Sequence, residues 1–270
     1  MKIELQIISL CAALIFSSSA DPLLYEGFGY GDVTGFVHNV ANPNAAGGVG
    51  FSANGWRQYN ATVTADGLVG TSTGVYASAW LTASDGYMKI NGGGAGNTWA
   101  LRSISPTYPM HTDQTYYFSV VLRDEDTDTS HGTDGAKLFL RSGTGSTIAA
   151  IGFADDESLL AICGESSVKG AVVISKGKVV ALVGKLVLSE SGTDTLYVSA
   201  FSDSAARSEP VSWDLSVSTE LAWATFAEIG MNVNGGNSEV DFDEIRFGFS
   251  FADVVPLYKR ISLVVFGTAN

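Results

Sequence analysis

The sequence has few cysteines, which could form disulfide bonds, and few basic residues, which could bind a polyanion. It has two cysteines and six prolines among 270 residues, so disulfide bonds cannot be its main source of stability. Lys and Arg number 15 against 28 Asp and Glu, which gives a net charge of −13. That balance argues against nucleic acid or an anionic membrane as a partner.

Long hydrophobic runs are also scarce, and the run near the amino terminus is typical of an export signal. It follows Lys2 and covers Ile7 to Phe16, which is too short to span a bilayer. Small residues at Ser18 to Ala20 then offer a cleavage site. We therefore expect a protein that is secreted or located in the cell envelope, with no transmembrane segment. The predicted segments are a signal peptide over 1–20, one domain over 21–256 and a tail over 257–270.

Cleavage of that signal would remove Cys11 and leave a single cysteine, Cys163, which cannot form an internal disulfide. Cys163 ends the apolar stretch Leu159 to Cys163, and no His and Asp arrangement near it suggests a nucleophile. We expect it to be a small, buried core residue.

Helix signals are nearly absent, and short β-rich segments alternate with turn residues. The segment Val179 to Val187 is apolar on both faces apart from Lys185, which indicates a central strand covered on both sides. Many antiparallel strands without disulfides must bury their apolar faces against each other. We therefore predict an all-β fold, a two-sheet antiparallel jelly-roll sandwich. The predicted strands are Leu23 to Phe28, Val75 to Leu81, Trp99 to Ile104, Thr115 to Arg123, Ala136 to Arg141, Ile148 to Phe153, Leu159 to Cys163, Ala171 to Ser175, Val179 to Leu188, Thr195 to Phe201, Val211 to Leu215, Phe226 to Val233, Val240 to Phe247 and Ile261 to Phe266.

Two hairpins are predicted from turn residues. The first joins Val179–Leu188 to Thr195–Phe201 through a polar loop that contains glycine. The second joins Phe226–Val233 to Val240–Phe247 through Asn234 to Asn237, where an Asn-Gly pair supplies positive φ at low cost.

Several segments, taken in order, resemble a known family. They are Leu23 to Phe28, Gly55-Trp56, Val179 to Lys185 with Asp194 to Val198, and Phe242 to Gly248 with Phe251 to Val254. Together they resemble the secreted concanavalin A-like (laminin-G-like) sandwich proteins common in planctomycetes and verrucomicrobia, over Leu23 to Pro256. The resemblance implies chiefly the fold, because function lies in the sites placed on a fold. Family members often end in a sorting signal containing Pro-Glu-Pro, whereas this chain continues as Leu257-Tyr258-Lys259-Arg260.

An acidic pattern near the end of the chain does not fit a regular strand. With strict alternation, the apolar residues before and after position 243 would face opposite ways. One extra residue at Asp243, a β-bulge, would bring them to one face. The apolar set is then Val240, Phe242, Ile245 and Phe247, and the opposite face carries Glu239, Asp241, Glu244 and Arg246.

One interpretation of this acidic set is catalytic. Glu239-x-Asp241-x-x-Glu244 resembles the bulged signature of retaining β-glucanases, with Glu239 as nucleophile, Asp241 tuning its neighbours and Glu244 as acid/base. Retaining chemistry requires two carboxyl groups about 5 Å apart. Asp243 departs from the signature, which prefers an apolar residue there.

Two other interpretations remain open. Glu26 of the first strand and Asp243 could hold a structural calcium ion at a sheet edge, with Asp241 as a helper, because calcium takes oxygen ligands. Alternatively, the acidic face is only solvated, with Arg246 paired to Glu244 or Glu239.

Tryptophans are the candidates for stacking on a sugar, because a flat apolar ring suits a pyranose face. Trp56 and Trp99 each follow a Gly-rich loop and are the predicted ligand-binding residues, with core packing as the alternative for each. We therefore predict an exported, non-catalytic domain that binds polysaccharide or cell-surface glycan, or serves at the cell surface. The alternatives are a retaining glycoside hydrolase using Glu239 and Glu244, and a structural envelope protein without a small ligand.

Overall fold

The computed structural model describes residues 21–28, 41, 43–59, 68–70, 86–91, 97–110, 112–125, 135–201, 208–221, 225–235 and 239–255. The predicted signal peptide, the predicted tail and the predicted strands Val75 to Leu81 and Ile261 to Phe266 lie outside these residues.

Nearly all of the regular structure in the described residues is β-strand. The helical pieces are a single 3-10 turn over Pro43–Ala45 and the short helix α1 over Phe251–Val254. The strands are β1 (Leu24–Glu26), β2 (Arg57–Tyr59), β3 (Leu68–Gly70), β4 (Tyr87–Asn91), β5 (Asn97–Pro109), β6 (Thr115–Asp124), β7 (Gly135–Ser142), β8 (Thr147–Phe153), β9 (Ser158–Cys163), β10 (Ser166–Val173), β11 (Val179–Val187), β12 (Asp194–Phe201), β13 (Leu215–Thr219), β14 (Thr225–Asn234) and β15 (Glu239–Gly248).

These strands form two antiparallel sheets. The eight-stranded sheet has the order β13-β12-β11-β6-β15-β4-β3, with β1 also paired to β15. The seven-stranded sheet has the order β10-β9-β8-β7-β14-β5-β2. The predicted all-β, two-sheet antiparallel jelly-roll sandwich is confirmed.

The core lies between the sheets and takes alternate side chains from both. Leu182 and Phe242 come from the eight-stranded sheet, and Met231 comes from the seven-stranded sheet, all with no exposed surface. Cys163 is a free thiol in this core, as predicted, and burial raises its pKa to about 12.

Strand β11 is central, as its sequence predicted. It lies between β6 and β12, with Leu182 facing the core and Val183 in a second apolar cluster on the outer side of the sheet. The hairpin from β11 to β12 is confirmed by register, since Val187 pairs with Thr195. The strand predicted over Val211 to Leu215 is wrong: the strand begins at Leu215, and Val211 is fully exposed.

The second predicted hairpin is wrong. Strand β14 pairs with β5 and β7 in the seven-stranded sheet, whereas β15 pairs with β6, β4 and β1 in the other sheet. Gly235 has φ 113°, so the Asn-Gly pair does supply positive φ. The chain there crosses between the sheets, because the apolar faces of β14 and β15 meet across the core instead of lying edge to edge.

The predicted bulge in β15 is confirmed. The register against β6 shifts between Asp243 and Arg246, and Glu244 has φ 49°, in the left-handed region. The bulge also marks a change of neighbour, because β4 pairs with the strand up to Phe242 and β1 pairs with it from Ile245.

Helix α1 packs on the outer face of the eight-stranded sheet. Ser250 caps it, and a reciprocal bond from the Ser250 amide to Asp253 completes a capping box. Phe251 and Val254 join the outer apolar cluster, and Ser119 donates to the Val254 carbonyl at 2.8 Å. None of the helices described in the structure is long and apolar enough to cross a membrane.

Candidate functional site

Three of the four acidic residues of β15 are buried and only Glu239 is partly exposed, so the interpretation of the whole set as a solvated face is wrong. Asp241, Asp243 and Glu244 are 0%, 1% and 3% exposed. Asp241 and Glu244 lie on the side of β15 opposite Phe242, as the bulge predicted, and Asp243 pairs with Val121 of the outer apolar cluster on that same side. Asp243 accepts a bond from the Glu244 amide at 2.7 Å, which helps to hold the left-handed turn.

Separate cations engage the three residues of the predicted catalytic set. Lys89 bonds Glu239 at 3.1 Å, and Arg123 bonds Asp241 at 3.1 Å. Glu244 is the third member, and its pairing with Arg246, predicted in the solvated-face interpretation, is confirmed.

Glu244 is enclosed from two sides. Arg246 reaches its Oε2 at 2.6 Å, and the Tyr25 hydroxyl donates to its Oε1 at 2.9 Å. The Arg246 guanidinium also lies 4.4 Å from the centre of the Tyr25 ring. Burial, together with the Glu244 charge, raises the pKa of Tyr25, so the phenol remains a donor.

The structure does not bring the predicted calcium ligands together. Glu26 points into the space between the sheets, where its carboxylate pairs with Arg102 of β5. Asp241 and Asp243 lie on the other side of their sheet. Within the described ranges, no group of three His, Cys, Asp or Glu residues could hold a metal ion. These residues therefore do not fit a calcium site.

The prediction that Trp56 is exposed for ligand binding is wrong. Trp56 has no exposed surface and packs against Phe28 and Phe51, with ring centres 5.9 and 6.2 Å apart. Its indole N–H donates to Glu26 at 3.1 Å, which explains how the polar edge is buried. Burial raises the pKa of Glu26, while Arg102, the Phe28 amide and Trp56 act to lower it.

The outer face of the seven-stranded sheet carries a different set of side chains. Strand pairing aligns one row across it, formed by Ile162, Ala150, Phe139, Gly230, Leu101 and Arg57. Phe139, Leu101 and Ala150 form an apolar cluster separate from the central core. We call the cluster of Phe139, Leu101 and Ala150 the apolar floor. A Cβ at Gly230 would come within 2.7 Å of atoms of Phe139 and Leu101, so a glycine at this position allows both side chains to pack against the β14 backbone.

Trp99 packs on the apolar floor, in the neighbouring row with Asn232 and Lys137. Its ring meets Phe139 edge-on, with centroids 5.2 Å apart, and is half-buried. Asn232 is held in place because it donates to the Thr98 carbonyl at 3.1 Å. Trp99 is thus partly exposed, and a ring supported in this way can stack on a flat apolar ligand surface.

Polar groups border the floor on its other side. Glu228 forms ion pairs with Arg57 and, at 3.4 Å, with Arg141. Arg57 also donates to the Ser103 hydroxyl at 3.4 Å. Arg141 lies 5.9 Å from the centre of the Trp99 ring. The two arginine side chains are 21% and 19% exposed, so a ligand on the floor could reach hydrogen-bond donors.

Lys137 lies in the Trp99 row and is half-buried. Its neighbours on the adjacent strands are Asn232 and Gly152, which carry no charge. No carboxylate in the part of the chain that the structure describes forms an ion pair with it. Burial lowers the pKa of Lys137, and no charge among the described residues opposes that shift.

Sequence reasoning predicted that Trp99 is accessible, and the structure shows it partly exposed, but the polar residues around it were missed. Arg57, Lys137, Arg141 and Glu228 are far apart in the chain, and only the strand pairing places them on one face. The sequence signal was polar alternation with core residues, such as Lys137 beside Leu138. Any strand with one face on a core shows that pattern, so it does not single out a site.

No protein-family model and no curated protein matches the chain. Among solved structures, the endo-β-1,4-glucuronan lyase of the fungus Trichoderma reesei is similar with a TM-score of 0.44 and 14% identity, over 83% of this chain and 96% of that chain. The cellulose-induced protein Cip1 has a TM-score of 0.43 and 14% identity, over 72% and 91%. A Lotus tetragonolobus seed lectin has a TM-score of 0.40 and 10% identity, over 63% and 89%. At this level no residue takes a role from these proteins, and none of them bears on the lineage or export of this chain.

Proposed function

We propose that this chain is an exported glycan-binding protein whose ligand lies on the outer face of the seven-stranded sheet. The observation that carries the proposal is Trp99, half-buried on an apolar floor with hydrogen-bonding side chains beside it. A sugar offers an apolar ring face to the tryptophan and hydroxyl groups to the arginines. The acidic strand β15 offers no comparable surface, because Asp241 and Glu244 are buried and ion-paired and the partly exposed Glu239 is paired with Lys89.

A glycan array followed by calorimetry on the purified protein tests this proposal. We expect Trp99→Ala to weaken glycan binding by about tenfold, which corresponds to about 1.4 kcal/mol, because the variant removes the flat apolar surface on which the sugar stacks. Trp99→Phe keeps an aromatic ring and should retain part of the affinity.

Trp213→Ala is the matched control for this experiment. Trp213 is also half-buried, but it packs against the outer cluster of the other sheet and lies 6.2 Å from the Tyr197 ring. We expect that variant to bind as the unsubstituted protein does. Absence of binding to any glycan, or equal losses in the Trp99 and Trp213 variants, would overturn the proposed site.

Export is part of the proposal and has its own test. Intact-mass measurement of the product recovered outside the cell should place Asp21 first, after removal of Met1 to Ala20. A product that retains Lys2 would contradict the predicted signal.

A further inference from the structure

Resting on the proposed function, we infer that the glycan is anionic and that Lys137 binds its carboxylate or sulfate group beside the sugar that stacks on Trp99. The strands place more positive than negative side chains on this face. Arg57, Lys137 and Arg141 are cationic, and Glu228 is the carboxylate that the described strands β2, β5, β7, β8, β9 and β14 place there. This face is therefore positive in a chain whose net charge is −13.

The ion pairs on this face involve the two arginines and do not include Lys137. Glu228 engages both Arg57 and Arg141, so one carboxylate already bridges the two guanidinium groups. Lys137 has no such partner among the described residues and stands between Asn232 and Gly152. An anion from outside the chain would supply the missing charge.

The half-buried environment of Lys137 makes its charged ammonium form unfavourable when no anion is nearby. Burial lowers its pKa, which means that the protein disfavours the ammonium form without offsetting it. Where a lysine has no structural task, an apolar side chain of similar length would avoid this cost. A bound anion would instead stabilise the ammonium. Because Lys137 is half-buried, solvent would screen this ion pair less than on an open surface.

The spacing suits a single ligand. Lys137 and Trp99 lie on either side of Asn232, two strands apart, which separates their backbones by about 10 Å. The residue next to Lys137 on β8 is Gly152, where no side chain stands in the way. One sugar stacked on Trp99 could therefore direct its own acidic group, or that of its neighbour, toward Lys137.

Calorimetry with paired oligosaccharides tests the inference. The first pair is an oligouronate and the same oligomer after reduction of its carboxyl groups to primary alcohols. The second pair is a sulfated neutral oligosaccharide and its unsulfated form. We expect the anionic member of at least one pair to bind about tenfold or more tightly than its neutral partner, and the pair that does so identifies the acidic group.

Lys137→Met should remove most of that difference, because it lowers the affinity for the anionic member much more than the affinity for the neutral one. Lys169→Met is the matched control, because it removes one positive charge from the edge strand of the same sheet, where Lys169 is exposed and paired with Asp155. That control should keep the preference for the anion. The thermal midpoint of Lys137→Met should not fall, which separates lost binding from lost folding.

The outcomes distinguish the inference from the function on which it rests. Equal binding of anionic and neutral members, with loss on Trp99→Ala, would overturn the inference and leave glycan binding standing. An anion preference that survives in Lys137→Met, or that Lys169→Met reduces equally, would also overturn it. No binding of any oligosaccharide would overturn the proposed function itself.

Discussion

Glu26 and Arg102 form an ion pair between the two sheets, with side chains 1% and 2% exposed. The carboxylate also accepts bonds from the Trp56 indole and from the Phe28 amide at 2.9 Å. Such a pair contributes little net stability over an apolar pair of the same volume, but breaking it leaves a buried charge uncompensated.

Glu26→Ala should therefore lower the free energy of unfolding by about 3–5 kcal/mol, because Arg102 keeps its charge and loses the Glu26 carboxylate. The double variant Glu26→Leu with Arg102→Met should recover most of that loss. Urea unfolding of both variants measures the difference. A loss below about 1 kcal/mol in Glu26→Ala would show that solvent or other groups compensate Arg102.

At the scale of a strand, Gly230 sets how closely the apolar floor packs. Gly230→Ala would force Phe139 and Leu101 to move, because the added Cβ comes within 2.7 Å of atoms of both. We expect a loss of about 1–3 kcal/mol in unfolding free energy from overpacking. Glycan binding should also weaken, because Phe139 supports the Trp99 ring.

Gly143→Ala is the matched control for that substitution. A Cβ there would meet its nearest neighbour, Ala227, at 3.7 Å, which is ordinary contact. Its unfolding free energy should stay within about 0.5 kcal/mol of the unsubstituted protein. If Gly230→Ala is equally harmless, the floor is not closely packed around β14.

Strand-level prediction succeeded where the physical signal is local. The bulge in β15 followed from a mismatch of apolar residues on either side of Asp243, and the pairing confirms it. The β14–β15 hairpin failed because an Asn-Gly pair reports backbone conformation at Gly235 and says nothing about which sheet receives the next strand. Three short strands, β2, β3 and β4, were missed because three to five residues carry too little periodicity.

The site shows the same limit for single residues. Trp99 could be singled out because an aromatic residue after a glycine-rich loop is visible in the sequence, and it is partly exposed in the structure. Trp56 follows a similar loop but is buried. Its indole N–H can be buried because it donates to Glu26, which lies 30 residues away in the sequence. Lys137 was missed because its uncharged neighbours on the adjacent strands, Asn232 and Gly152, are set by the strand pairing and not by the neighbouring sequence.

At the scale of the whole molecule, the two outer faces differ in how their charges are satisfied. On the eight-stranded sheet, Asp241 and Glu244 are buried and paired with Arg123 and Arg246. On the seven-stranded sheet, half-buried cations share a face with an aromatic ring, and Lys137 has no ion-pair partner among the described residues. A ligand would have to break existing ion pairs on the first face, whereas on the second it would complete one.

This difference leads to a negative prediction about catalysis. The purified protein should not hydrolyse laminarin, mixed-linkage glucan, agarose or carrageenan faster than its Glu239→Gln variant does. A retaining mechanism needs both carboxyl groups at one glycosidic bond. Here Glu239 is held by Lys89, while Glu244 is 3% exposed and held by Arg246 and Tyr25.

Variants of Glu239 and Glu244 also test whether the outer faces of the two sheets act independently. Glu244→Gln should lower stability, because Arg246 loses its partner, and should leave glycan binding at Trp99 unchanged, because the residue lies on the other sheet. Reducing-sugar assays and calorimetry on Glu239→Gln and Glu244→Gln together measure both effects. Turnover that disappears in both variants would place a hydrolytic site on β15, and the ion pairs seen there would then have to open when the sugar binds.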